Sequence, residues 1–202
     1  MSREGWNDLL AGERAPRFAL ICLGVWLNAA DSLVTATIMP AVGEDLGGYA
    51  YFAWAVAGFL LGAILAGASA GRLSEKLGLR PAIAIAGLVF AGGCAISAAA
   101  PNVAVFLAGR LLQGIGGGWI SGFSMVAIAF LFPERHLARV FAAVSGVWGV
   151  ATLLGPALGG VFADSGEWRM VFWLFALQAV AFSGAGLLLL RGAATPKADT
   201  GV

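Results

Sequence analysis

Six mostly apolar stretches, each long enough to carry a helix across a bilayer, divide this chain: Phe18 to Pro40, Ala50 to Ala70, Ala82 to Ala100, Val103 to Phe132, Leu137 to Ala163 and Met170 to Leu190. A helix needs about 20 apolar residues to span a hydrocarbon core of about 30 Å. Of 202 residues, 60% are hydrophobic and 11% charged, against about 25% charged in an ordinary soluble domain. A soluble core of this length would still need a polar exterior, which 12 basic and 11 acidic side chains could not supply. A lipid-facing surface removes that demand. The net charge of +1 excludes the basic stripe that a nucleic-acid partner requires. The first run carries Asp31 and lacks a small-residue cleavage site, so it reads as a retained helix rather than a signal peptide.

Basic residues near span ends are held on the cytoplasmic side. Arg3, Arg14 and Arg17 precede the first span, and Arg72, Lys76 and Arg80 separate the second from the third. Arg135 and Arg139 separate the fourth from the fifth, while Arg191 and Lys197 follow the sixth. The opposite connections hold only Arg169, beside Glu44, Asp45, Asp164 and Glu167. The expectation is an all-α membrane protein with both termini cytoplasmic: residues 1–17 an amino-terminal segment, 18–190 a six-helix bundle, and 191–202 a polar tail.

The 30 glycines fit this class, because small residues let membrane helices approach closely. Gly58 with Gly62, Gly67 with Gly71, and Gly114 with Gly118 form GxxxG pairs expected to pack helices. Cys22 and Cys94 lie in apolar runs without metal-ligand or CxxC spacing and read as small membrane hydrophobes. Trp6 and Trp168, near span ends, read as interfacial anchors. Trp26, Trp54, Trp119 and Trp148 are placed for packing or for stacking against cationic ligands. His136 reads as a solvated turn residue.

An ionisable group at membrane depth costs about 2.5 to 3.5 kcal/mol or more, which makes it a functional-site hypothesis. Asp31 lies nine residues before Pro40 and Arg110 eight after Asn102, so each sits roughly 12 to 14 Å from the outer surface. Asn28, Asp31 and Thr35 share one face of the first helix, as do Arg110, Gln113, Gly117, Ser121 and Ser124 on the fourth. The two faces are expected to line one polar cavity. Opposite charges there relieve each other's desolvation, and a proton on Asp31 would break the pair and free Arg110 for a ligand. A permanent structural ion pair is the competing reading.

Three motifs resemble the major facilitator superfamily. Gly71-Arg72-Leu73-Ser74-Glu75-Lys76-Leu77-Gly78-Leu79-Arg80-Pro81 looks like its signature loop between the second and third helices, with Glu75 where the usual residue is Asp. Arg110-Leu111-Leu112-Gln113-Gly114 resembles the fourth-helix motif of proton-driven members. Leu153-Leu154-Gly155-Pro156-Ala157-Leu158-Gly159-Gly160 resembles the fifth-helix antiporter motif, in which a proline kinks the helix and glycines let neighbours slide. Asp31 through Pro40 and Trp168-Arg169 are similar to segments of multidrug exporters in the same family.

The resemblance implies two inverted three-helix repeats, the first and fourth helices flanking the substrate path. It also implies a gating role for Gly71, Glu75, Lys76, Gly78 and Arg80, an antiporter role for Gly155, Pro156, Gly159 and Gly160, and proton coupling through Arg110; with the shared depth and faces, Asp31, Arg110, Gln113, Asn28 and Thr35 are expected to serve proton coupling or the substrate path. Such families carry two six-helix halves, so the chain is expected to be half of a proton-coupled exporter of hydrophobic or drug-like small molecules in a bacterial inner or plasma membrane. Its second half would come from the same gene, a second chain or a homodimer. The tail near Thr195 resembles the start of a long central linker, which favours the first. A metabolite facilitator or symporter, and a non-transporting membrane scaffold, are the alternatives. No nucleophile with its base, phosphate-binding loop or metal-ligand cluster stands in the sequence, so neither an enzyme nor a cofactor or metal is expected.

Overall fold

The computed structural model describes residues 12, 14–47 and 49–191; the expectations for Arg3, Trp6, Lys197 and the tail from residue 192 lie outside the described residues. Within them the chain forms α1 (Arg14–Leu46), a 3-10 turn (Tyr49–Tyr51), α2 (Phe52–Leu77), α3 (Leu79–Ala98), α4 (Val103–Leu131), α5 (Glu134–Asp164) and α6 (Trp168–Leu189). All six α-helices are long and apolar enough to cross a membrane. The protein is an all-α membrane protein.

The helices run past the apolar stretches that signal them. α1 has 33 residues and passes through Pro40 to Leu46, carrying Arg14, Arg17, Glu44 and Asp45 on its ends. Hydropathy marks the lipid-facing part of a helix, whereas hydrogen bonding continues wherever the backbone can pair. α4 begins with local chemistry instead: Asn102 Oδ1 accepts a 3.0 Å bond from the Val105 backbone N–H, capping the helix where its first donors lack partners.

Small residues set the packing. A Cβ added at Gly62 of α2 would fall 2.5 Å from the Leu111 carbonyl oxygen of α4, while Gly114 and Gly118 of α4 lie on the backbones of Phe59 and Ala63. Only the Gly114–Gly118 pair places both members in an interface. Gly62 and Gly67 face α4, but Gly58 and Gly71 open onto space, because the contact row on α2 follows Phe59, Gly62, Ala63 and Ala70. In the same manner Gly155 and Gly159 of α5 rest on Leu33 and Thr37 of α1. Positions ascend together in both pairs, so α2 runs parallel to α4 and α1 to α5. α3 is antiparallel to α4, with Gly93 on Gln113 and Ser97 on Gly109, and to α6, with Ile83 on Gly186 and Gly87 on Ser183.

This pattern is that of two inverted three-helix repeats, α1–α3 and α4–α6, since an odd number of crossings makes the second repeat start from the opposite side. The middle helix of each repeat, α2 or α5, packs on the first helix of the other. These two middle helices are the least buried, exposing Leu60, Leu61, Ile64 and Leu65 on α2 and Leu153, Leu154 and Val161 on α5. Phe90, Phe106, Phe123, Phe172, Phe175 and Phe182 fill the core between the others.

Polar clamps close both ends of the bundle. At the end carrying residues 14 and 191, Arg17 Nε donates to the Leu189 carbonyl at 3.4 Å and Arg80 Nε to the Leu187 carbonyl at 2.8 Å. Both satisfy carbonyls that the last turn of α6 leaves free, where the helix dipole also favours cations. At the other end Asp45 accepts from Trp168 Nε1 at 3.2 Å and pairs with Arg169, whose Nη2 donates to the Ala100 carbonyl at 2.7 Å.

Two residues expected at the surface are buried. Trp168 is enclosed edge-to-face by Phe106 and Phe172, with centroids 5.9 and 6.0 Å away. It is a bundle residue rather than a lipid anchor, because the start of α6 tucks under α1 and α4. His136 lies not in a turn but on the inner side of the first turn of α5, beside Arg135 and Arg139.

Candidate functional site

Asp31 on α1 and Arg110 on α4 meet inside the bundle, both essentially without exposure, with Arg110 Nη1 2.7 Å from Asp31 Oδ2. Antiparallel α1 and α4 bring the two depths inferred from the sequence into register. The same Nη1 donates to Gln113 Oε1 at 2.9 Å, and Gln113 Nε2 donates to Asp31 Oδ1 at 3.2 Å. Carboxylate, guanidinium and amide thus close a triangle in which the carboxylate accepts and the guanidinium donates. A charge-assisted hydrogen bond of this kind is about twice as strong as a neutral one, and desolvation amplifies it.

The triangle extends to helices that the sequence did not single out. From α3, Ser97 Oγ donates to Gln113 Oε1 at 3.2 Å, and Cys94 Sγ accepts from Gln113 Nε2 at 3.0 Å. From α2, the Phe59 ring lies 4.6 Å from Arg110 Cζ, a cation–π contact at a desolvated site. Cys94 is therefore a polar partner as well as an apolar filler. Serine and cysteine are ordinary in membrane helices, and a phenylalanine among 13 stands out by no sequence pattern. Their role depends on two close approaches that only the structure reveals, Gly93 of α3 against Gln113 and Gly109 of α4 against Ser97.

The polar faces of α1 and α4 do not line one open cavity. Helix packing divides them into the sealed triangle around Asp31 and a second pair, Asn28 Nδ2 donating to Ser121 Oγ at 2.9 Å. That pair borders a shallow groove of about 310 Å³ with Ile64, Gly118, Gly122 and Met125. Asn28 Oδ1 lies over Gly117, where only a glycine leaves it room. Thr35 is buried one turn beyond Asp31. Asn28 Oδ1, Thr35 Oγ1 and Arg110 Nε are buried without a hydrogen-bond partner among the described residues. Arg110 Nε is thus an unused donor inside the bundle.

The antiporter-motif glycines touch this site from behind. Gly155 meets Leu33 and Val34, and Gly159 meets Val34 and Thr37, the turn of α1 that follows Asp31. Gly160 has open space and Pro156 faces outward, with α5 continuous through it. The expected gating loop proves to be almost entirely helical: Gly71 to Leu77 finish α2, Leu79 to Pro81 start α3, and Gly78 alone turns the chain. Glu75, Lys76 and Arg80 are exposed, and Arg80 holds the end of α6. Trp26 donates to Gln178 Oε1 at 3.1 Å and Trp119 to Ser69 Oγ at 2.9 Å, so both are tied into packing, whereas Trp54 and Trp148 face outward.

The similarity of this chain to known proteins is specific. The family model described as Major Facilitator Superfamily matches residues 21–201. The chain is 35% identical over 172 residues to a probable multidrug-efflux transporter of Mycobacterium tuberculosis, covering 85% of this chain and 36% of that protein. It is 30% identical over 190 residues to the multidrug transporter protein MdtP of Bacillus subtilis, covering 93% of this chain and 34% of that one. Its fold is similar to that of a proton:xylose symporter, XylE, with a TM-score of 0.76 at 21% identity over 88% of this chain and 46% of that one. The chain thus spans about a third of the length of the curated relatives it matches. It belongs to the major facilitator superfamily, a family of membrane transporters rather than enzymes, and has the fold of that family's amino-terminal six-helix half.

Proposed function

We propose that this chain is half of a secondary active transporter that exports hydrophobic or drug-like small molecules in exchange for protons by alternating access. The observation that carries the reading is the sealed Asp31–Arg110–Gln113 triangle, the one place at membrane depth among the described residues where a proton can be exchanged against a paired positive charge. With Asp31 ionised, the pair locks α1 to α4. A proton on Asp31 removes the attraction and leaves Arg110 a buried cation in want of an acceptor, which favours a rearranged bundle open to a ligand. The multidrug relatives support a hydrophobic substrate. Gly155 and Gly159 give α5 a smooth track against the turn after Asp31, so movement of α1 is transmitted to α5.

In this reading both termini are cytoplasmic, as the excess of arginine and lysine at that end favours. A second six-helix unit covers the groove beside Asn28 and Ser121 and completes the path. A direct test reconstitutes the chain, alone and joined to a second six-helix unit, in liposomes holding a fluorescent hydrophobic cation under an imposed pH gradient. Proton-driven movement in the joined form, lost in Asp31→Asn, is expected. Movement that ignores the gradient would reject proton coupling, and none in either form would favour a scaffold.

A further inference from the structure

Gln113 uses its whole hydrogen-bonding capacity. Its oxygen accepts from Arg110 and Ser97 while its nitrogen donates to Asp31 and Cys94. The charges dictate this orientation: a guanidinium needs an acceptor and a carboxylate needs a donor. The two partners on α3 are different. A hydroxyl and a thiol can each donate or accept, so Ser97 and Cys94 satisfy either end of the amide.

We propose that Gln113 is a two-position switch that turns about its terminal bond when Asp31 gains a proton, with Ser97 and Cys94 as positioning residues that satisfy both positions. The inference rests on the proton-coupled reading of this site. A proton delivered by hydronium from the aqueous phase, which leaves neutral water behind, forms an O–H bond at Asp31 Oδ1, and the new donor faces a Gln113 nitrogen that is also a donor. Turning the amide by about 180°, a motion its broad two-fold torsion allows, presents the oxygen to the Asp31 hydroxyl and the Cys94 thiol. The nitrogen then donates to Ser97 and confronts the donors of Arg110. Arg110 loses its ion-pair partner and its amide acceptor in one event, keeping the Phe59 ring at 4.6 Å. Protonation is thereby converted into release of the arginine, more completely than the loss of the ion pair alone would achieve. The titratable and charged groups facing Asp31 are Arg110 from α4 and Cys94 from α3. From α2, α5 and α6 the contacts made near this site are Phe59 on Arg110, Gly155 on Leu33 and Gln178 on Trp26, and the charged residues of those helices lie at their ends.

The two positions differ in one respect that can be measured. Without the Ser97 hydroxyl the present orientation loses little, because Gln113 Oε1 keeps Arg110, but the turned orientation leaves both amide N–H groups without an acceptor. Ser97→Ala therefore penalises the protonated state more than the ionised one. In the full chain in lipid nanodiscs, the infrared band of the protonated Asp31 carboxyl, assigned by its loss in Asp31→Asn, is expected to appear about one pH unit lower in Ser97→Ala. Ser97→Cys, which keeps a group that both donates and accepts, should return it toward the parent value. A band that does not move in Ser97→Ala overturns the switch.

A second measurement needs no substitution at the site. Gln113 and Gln178 are the only glutamines of the chain, so ¹⁵N-glutamine labelling gives two side-chain amide pairs. The Gln113 pair should shift together with the infrared band while the Gln178 pair stays fixed, and a Gln113 pair unchanged through that titration overturns the switch. If proton-driven transport is lost in Asp31→Asn and these signals stay still, the switch fails and the coupling reading stands. If Asp31→Asn retains such transport, the coupling reading fails by itself.

Discussion

Gly155 of α5 lies directly against Leu33 of α1, where a Cβ added to the glycine would fall 2.7 Å from that of the leucine. Gly159 makes the same approach to Thr37. Alanine at either position forces two helices apart beside Asp31, and overpacking of this kind costs about 1–3 kcal/mol. Gly160, with nothing within 4 Å, is the control in the same motif. Thermal unfolding in detergent should show Gly155→Ala and Gly159→Ala destabilised and Gly160→Ala within about 0.5 kcal/mol of the parent. Equal effects at all three would contradict the packing.

Gly78 joins α2 to α3 with φ 82° and ψ 152°, a conformation other residues adopt at a cost of about 1–3 kcal/mol. Its N–H donates to the Ser74 carbonyl at 2.9 Å, which fixes the turn. Gly78→Ala should lower the unfolding midpoint, while Gly71→Ala, with open space around it, should not. The two glycines of the signature segment are thus separable, one by backbone geometry and the other by any role in gating.

The buried pair predicts an asymmetry. An arginine cannot shed its proton in a protein, whereas an unpartnered aspartate can gain one and become neutral. Asp31→Asn therefore strands a buried cation, a loss of about 3–5 kcal/mol, and Arg110→Met should cost less. The double variant should recover much of the loss. Denaturation curves of the three proteins check this, and an Arg110→Met variant less stable than Asp31→Asn would contradict it.

Trp168 fills the space between Phe106 and Phe172 and donates to Asp45. Trp168→Ala removes about 3–5 kcal/mol through the cavity it leaves. Unfolding measured by the remaining tryptophans reads that loss, and an interfacial anchor would show a far smaller one.

The six helices were legible because lipid imposes a length of apolar sequence that nothing else requires, and Asp31 and Arg110 because a charge in such a run is conspicuous. The partners of Gln113 were not. Ser97 and Cys94 are common in apolar helices, and their role depends on α3 approaching α4 closely enough to reach the amide, which periodicity within one helix does not reveal. The division of the two polar faces was hidden for the same reason: spacing says which residues share a face, while the neighbouring helices decide whether that face is sealed or open. Trp168 and His136 were misplaced because position at a span end does not distinguish a residue turned toward the bundle from one turned toward the headgroups.

Exchange of substrate for protons through Asp31 is read most directly from the proton movement that substrate evokes. The chain joined to a second six-helix unit is reconstituted in liposomes loaded with a pH-sensitive dye, and a hydrophobic cation is added without an imposed gradient. Protons should move opposite to the substrate in the parent protein and not at all in Asp31→Asn, with cation binding retained. An equal proton flux in Asp31→Asn would contradict this.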